Sequence, residues 1–202
     1  MKRIASVFLP LALALPMVVY GAQEGSGRER DRIVQQVRKE INSLTNYGVF
    51  DSINYEMDGS TVTLQGYASR PTLKDSAERV VAKIEGVDKV INQIEVLPLS
   101  NMDDGIRARM YRAIYGDNVL SRYNPSRGPI MFSPARIAGG ITNDPPIGLH
   151  SIHLVVRNGN VLLTGVVDNK ADSDRANIVA NGVFGVFSVN NQLQIASKTR
   201  KK

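Results

Sequence analysis

The feature that most constrains this chain is that it writes one stretch twice. Val62 to Val96 and Val161 to Ile195 superimpose without a gap at a shift of 99 positions, and eleven of the 35 aligned residues are identical. The identities are Val62/Val161, Leu64/Leu163, Gly66/Gly165, Asp75/Asp174, Ala77/Ala176, Val80/Val179, Gly86/Gly185, Val87/Val186, Val90/Val189, Asn92/Asn191 and Gln93/Gln192. A fixed period of this kind makes each copy one structural unit, so any fold must be read per repeat before it is read per chain.

Each copy has the same order of patterns. In the first, Ile33, Val34, Val37, Ile41 and Leu44 recur at helical spacing. Ile53, Tyr55 and Met57 then alternate with polar residues, Asp58-Gly59 signals a hairpin turn, and Val62 and Leu64 continue the alternation. Gly66 stands where a third apolar residue belongs, which points to a bend or close backbone approach. Leu73, Ala77, Val80, Val81 and Ile84 form a second helical stripe ended by Gly86, and Val90, Ile94 and Val96 make a third strand. Asn92 and Asn191 share the core side of that strand and are expected to tie down a neighbouring turn or bulge.

The second copy follows suit. A helix opens at Ser100 or Asn101, with Asp103 and Asp104 in its first turn and Ile106, Met110, Ala113 and Ile114 inward. The hairpin around Asn158-Gly159 comes next. Asp168 caps a helix packed by Ala176, Ile178, Val179 and Val183, and Phe187 to Ile195 is the last strand. Between the helix and the hairpin lies an insert over 116–147, rich in Pro and Gly. The expectation is an α+β protein of two tandem α-β-β-α-β domains, each a three-stranded mixed sheet with two helices on one face. The first domain spans 28–98 and the second 99–196.

The ends read differently. Lys2 and Arg3 precede an apolar run from Ile4 to Tyr20, then small residues, which is the pattern of a signal peptide over 1–21. Pro10 and Pro16 interrupt the run, so it suits an exported protein better than a membrane anchor. A flexible lead over 22–27 and a basic tail over 197–202 flank the domains. There is no cysteine, hence no disulfide framework, no thiolate metal site and no lipidated cysteine.

With these residues in place, the chain resembles the BON (bacterial OsmY and nodulation) domain family. The resemblance rests on the V-x-L-x-G hairpin ends at Val62-Leu64-Gly66 and Val161-Leu163-Gly165, and on the central helix residues Ala77 and Ala176. It rests also on the exits Gly86-Val87-Val90-Asn92-Ile94 and Gly185-Val186-Val189-Asn191-Leu193. It covers Arg28 to Ala196, apart from the insert. It implies a periplasmic or envelope protein, often linked to osmotic stress, that binds phospholipid or helps maintain the outer membrane. In a double-repeat relative the first helix of the second domain meets anionic lipid.

Charge points the same way. The formal net charge is +6, and between Ile106 and Arg136 six arginines face one acid, Asp117. Arg107, Arg109, Tyr111 and Arg112 lie on the first helix of the second repeat. Arg122, Arg127 and Arg136 follow in the insert, with Met131 and Phe132 at an apolar tip. Arginine pairs bidentately with phosphate, and apolar side chains enter the headgroup region. These nine residues are the expected lipid-binding set, with anionic phospholipid or a membrane surface as partner and envelope proteins as further partners. The plainer reading is a solvated charged face with a loop folded back on the core.

Other chemistries find little support. His150 and His153 are three apart, on opposite faces of a strand, and no acidic cluster joins them, so no metal site is expected. The aspartates sit at caps and turns, no nucleophile is paired with a base, and neither an enzyme nor a cofactor is expected. Gly182-Val-Phe-Gly185 joins a helix to a strand rather than two helices, which argues against nucleic acid. Polysaccharide binding lacks a tryptophan platform, since there is no Trp. The competing reading is a periplasmic chaperone-like or scaffolding protein that holds polypeptide clients.

Overall fold

The computed structural model describes residues 21–125, 132, 139–146 and 148–197. The expected signal peptide lies outside them save for Gly21, and so does the tail beyond 197. Helix α1 runs Gly21–Asn42, so it takes in the stretch expected as a flexible lead. Once a helix is nucleated, each further residue adds a hydrogen bond for the dihedrals it fixes, and the backbone continues through the glycines. Helix α1 sends Ile33, Val37 and Ile41 into the first core.

Strands β1 (Ser52–Asp58) and β2 (Thr61–Ala68) form the hairpin, and helix α2 (Pro71–Val81) returns the chain to β3 (Lys89–Val96). The sheet order is β1-β2-β3, with β1 antiparallel and β3 parallel to β2. Leu64, Val62 and Ile94 face α1 and α2, buried against Leu73, Ala77 and Val81. Burying such side chains contributes about 1.5–3 kcal/mol each, the main force holding this layer together.

The second unit repeats the plan. Helix α3 spans Asn101–Tyr115, β4 Ile152–Arg157, β5 Asn160–Val167 and helix α4 Lys170–Asn181. The last strand is divided into β6 (Ser188–Asn191) and β7 (Gln194–Ile195), both parallel to β5. The break falls at Gln192-Leu193, where Leu193 N–H turns to Asn191 Oδ1 at 3.1 Å, a bond that Ile94 and Asn92 also make, at 3.2 Å, within the continuous β3. Asn191 donates to Ser173 O at 3.0 Å, and Asn92 donates to Lys74 O at 3.0 Å in the first unit. Both asparagines therefore lash strand to helix, a structural role, with a helix carbonyl as partner rather than the neighbouring turn or bulge expected.

The two conserved-looking glycines of the repeat have one physical cause. Gly66 and Gly165 pair with Ile53 and Ile152 across the hairpins, at φ of +114° and +115°. A Cβ there would stand 2.1 Å from Ser52 O and 2.0 Å from Ser151 O. The sheet bends by bringing backbone onto backbone, and only glycine leaves the room.

Helix α4 differs from expectation in two details. Its cap is Asn169, which accepts from Asp172 N at 3.0 Å, one residue beyond Asp168. Ile178 is exposed rather than packed, because Ala176, Ala180 and Val183 define the inner stripe and Ile178 lies on the far side of it.

The units are joined by more than a linker. Val49 and Phe50, from the α1–β1 connection, are buried in the core of the second unit with Ile106, Tyr111 and Ile152. Val49 O accepts from Leu154 N at 2.7 Å. Ser52 and Thr164 share a hydroxyl hydrogen bond of 2.9 Å, Arg70 donates to Thr142 O, and Arg157 pairs with Glu95 at 2.6 Å.

Candidate functional site

Helix α3 is where the arginine-rich reading must be tested. Ser100 caps it, accepting from Asp103 N at 3.2 Å. Asp103 itself is fully buried and receives the N–H groups of Asn158 and Gly159, both at 2.8 Å. It therefore clamps the β4–β5 turn, where Asn158 and Gly159 both adopt positive φ. Its first-turn position also suits the helix dipole, but its dedicated partners are in the hairpin.

The expected lipid-binding set does not share one face. Arg107 is only 2% exposed. Its Nη1 pairs with Asp104 Oδ1 at 2.6 Å and its Nη2 donates to Val156 O at 2.6 Å. Tyr111 is buried beside Phe50, Tyr115 and His150. Neither reaches a surface. Around Tyr111 the insert adds to the cover: Leu120, Tyr123 and Ile141 pack into the second core, and Phe132 lies 5.4 Å from the Tyr111 ring. Helix α3 is thereby covered on a side that α1, which buries one stripe, leaves to solvent.

Arg122 is exposed but engaged. It pairs with Asp172 and, at 3.5 Å, with Asp168, and lies over the Tyr123 ring. Asp172 occupies the position of Leu73 in the repeat, and Tyr123 donates to it at 2.6 Å. Part of an apolar core position has become the anchor for the 3-10 turn Leu120–Tyr123. Phe132 is half-buried, with Arg112 5.2 Å from its ring centre. Arg127, Met131 and Arg136 lie outside the described residues.

Arg109 and Arg112 remain towards solvent. Arg109 Nε donates to Phe184 O at 3.0 Å, and its guanidinium lies 5.7 Å from the Phe184 ring centre. In the first unit Arg32 performs the same service, donating to Glu85 O at 2.9 Å. Glu85 and Phe184 are equivalent in the repeat. Each unit thus fastens its helix–strand turn to an arginine on its first helix.

That turn carries what the sequence reading missed. Phe184 and Phe187 are 84% and 72% exposed, and Ile178 on the adjoining helix is 65% exposed. Their counterparts 99 positions earlier are Glu85, Asp88 and Arg79. Three charged side chains in one repeat are three bare apolar ones in the other. The signal was available in the alignment of the repeats, at positions that differ rather than those that agree. Phe187 also covers the backbone at Gly159, where a Cβ would meet its ring at 2.5 Å.

The histidines serve the fold. His150 Nδ1 faces Gly148 O at 2.9 Å, a carbonyl that can only accept, so Nδ1 carries the proton and Nε2 accepts from Tyr111 Oη at 3.1 Å. Burial pushes His150 down from 6.5 to about 4, and burial lowers His153 as well. A depressed imidazole is protonated more readily in the unfolded chain, so its contribution to stability is present above 6.5 and is lost as pH falls towards about 4. Asp51, raised by burial, acts in the opposite sense at the acid end. His150→Asn should therefore gain stability relative to the parent between pH 6.5 and 4, seen as converging urea midpoints. Midpoints that keep a constant separation would contradict the assignment.

Comparison with known proteins places these elements. The family model described as BON domain matches residues 29–98 and 135–197. The second match contains β4 to β7 and α4 but not α3, which lies ahead of it across the insert. The chain is 26% identical over 142 residues to osmotically-inducible protein Y of Escherichia coli (strain K12), covering 70% of this chain and 61% of that protein. The chain thus spans less than two thirds of that relative. Among solved structures, the C-terminal domain of CdsD, the structural protein of the type III secretion system of Chlamydia trachomatis, aligns at a TM-score of 0.26. It is 13% identical, over 82% of this chain and 98% of that one. A second CdsD structure aligns at the same TM-score over 92% of its length.

Proposed function

This chain belongs to the BON domain family, and from that premise we propose that it is a non-enzymatic envelope protein associated with osmotic stress, which binds anionic phospholipid. The stress association is suggested by the name of its relative, osmotically-inducible protein Y. Its place is the periplasm, reached after loss of the N-terminal apolar segment.

One observation carries the lipid reading: Phe184, Phe187 and Ile178 are bare apolar side chains, and Arg109 of α3 lies against the Phe184 ring. Moving such a side chain out of water contributes about 1.5–3 kcal/mol. One basic residue near an anionic leaflet adds about 1 kcal/mol. Two phenylalanines with Arg109 and Arg112 suit reversible, salt-sensitive association at the interface rather than anchorage. The described helices include none long and apolar enough to cross a membrane. The contact is accordingly narrower than the arginine-rich set: Arg107 and Tyr111 support it from inside, and the turn touches lipid.

Co-sedimentation tests this. The protein should pellet with phosphatidylglycerol vesicles and not with phosphatidylcholine vesicles, and should release in high salt. Phe184→Ser with Phe187→Ser should weaken binding by about tenfold or more, and Arg112→Ala severalfold. Equal binding by the double variant would remove the turn from the contact. Salt-insensitive capture of an unfolded polypeptide by the same turn, without vesicle binding, would favour a chaperone-like role instead.

A further inference from the structure

A second surface has a different chemistry. The helices cover one face of each sheet, and the other faces of the two sheets line a common cleft of about 850 Å³. This lies within the roughly 300–1,000 Å³ typical of small-ligand sites. On the first wall Asn54, Gln65 and Gln93 stand in register across all three strands. Strand spacing places these amides about 4.8 Å apart in a row. Asn190 and Gln192 stand on the opposite wall.

The neighbouring row, Ser52-Tyr67-Glu95, is committed to the join between the units. Ser52 meets Thr164 and Glu95 meets Arg157. The amide row is not committed. Asn54, Gln65, Gln93, Asn190 and Gln192 are exposed, and their side chains have no hydrogen-bond partner among the described residues. Solvated strand faces are ordinarily kept soluble by charge. Here the charged lining residues are Glu95 and Arg157, and they neutralise one another at 2.6 Å.

A phosphate-bearing ligand needs unpaired cations and finds none on these walls. An added polypeptide strand needs a free strand edge, whereas the walls are sheet faces whose backbone groups are already paired. A ligand laid on the faces must be read by side chains that both donate and accept. Hydroxyl groups answer that description, since each donates one hydrogen bond and accepts two. The chain has no Trp to act as a platform, and the half-buried Tyr67 and Leu162 supply the apolar surface for the carbon faces of sugar rings instead. We propose that this cleft binds a neutral oligosaccharide, with the Asn54-Gln65-Gln93 row as its principal contact. The site uses none of the side chains assigned to lipid, so either reading can fail alone.

The test is a titration of the full protein, followed in amide-resolved NMR spectra, with maltotetraose, cellotetraose and tetra-N-acetylchitotetraose up to about 10 mM, above a millimolar Kd. At least one should shift the side-chain amide signals of Gln65 and Gln93 saturably. Gln65→Ala with Gln93→Ala should weaken that glycan by about tenfold or more, the scale of two lost hydrogen bonds. Both side chains are exposed, so the backbone spectrum should be otherwise unchanged. The proposal is overturned if no glycan moves these signals, if the double variant binds as tightly as the parent, or if an extended polypeptide moves them when no glycan does.

Discussion

Arg107→Ala should lower the unfolding free energy by about 3–5 kcal/mol, although its place in an arginine-rich helix invites reading it as a ligand contact. The guanidinium is buried between α3 and β4, holding Asp104 Oδ1 and Val156 O, each at 2.6 Å. Removing it leaves the Asp104 carboxylate without its cationic partner, in a place that is 6% exposed. An uncompensated buried charge accounts for most of the loss. Replacing both partners, Arg107→Met with Asp104→Leu, should recover most of it, because Arg107 Nε has no partner among the described residues and the pair is incompletely satisfied. Urea denaturation of the two variants decides the matter. A single variant as stable as the parent would mean that the pair is held in water. Any vesicle experiment with Arg107→Ala would mistake loss of fold for loss of contact, and Arg112→Ala is the cleaner probe.

Gly165→Ala should be at least as damaging, at about 4 kcal/mol or more, and Gly66→Ala comparable. Two penalties coincide there. The backbone sits at φ +115°, and the new Cβ would fall 2.0 Å from Ser151 O. The hairpin can escape only by separating β4 from β5, which opens the core over Ile152 and Leu163. Gly59→Ala separates the terms: its φ is +57°, but a Cβ there meets nothing within 4 Å. It should cost about 1–2 kcal/mol, the conformational part alone. If Gly165→Ala unfolds at the same urea concentration as Gly59→Ala, the close approach is not what selects glycine.

Most of the architecture was legible because period and punctuation agreed. Ile33, Val37 and Ile41 at helical spacing, Val62 and Leu64 at strand spacing, and the turn pairs Asp58-Gly59 and Asn158-Gly159 each depend on near neighbours along the chain. The candidate site depended on the opposite. Arg107 and Tyr111 carry no local mark of burial, since Arg107 is held by Val156 and Tyr111 packs against Phe50 and His150, all far along the chain. Ile178 looked like a core residue by type, and only the exact phase of α4 puts it outside. The amide row needs cross-strand register: Asn54, Gln65 and Gln93 are far apart in sequence and become neighbours through two pairings. Phe184 and Phe187 were readable in principle, as differences between the repeats.

The placement of Val49 and Phe50 has a consequence for how the molecule is made. Both residues precede the first hairpin, yet their buried surroundings are Ile106, Tyr111 and Ile152. Synthesis and export both deliver the N-terminus first, so the first unit can assemble its own sheet while these two side chains are still bare. The second unit, when it emerges, condenses on a surface already waiting for it. The earlier repeat is thus the seed on which the later one grows, and the two copies, alike in pattern, are unequal in their order of assembly.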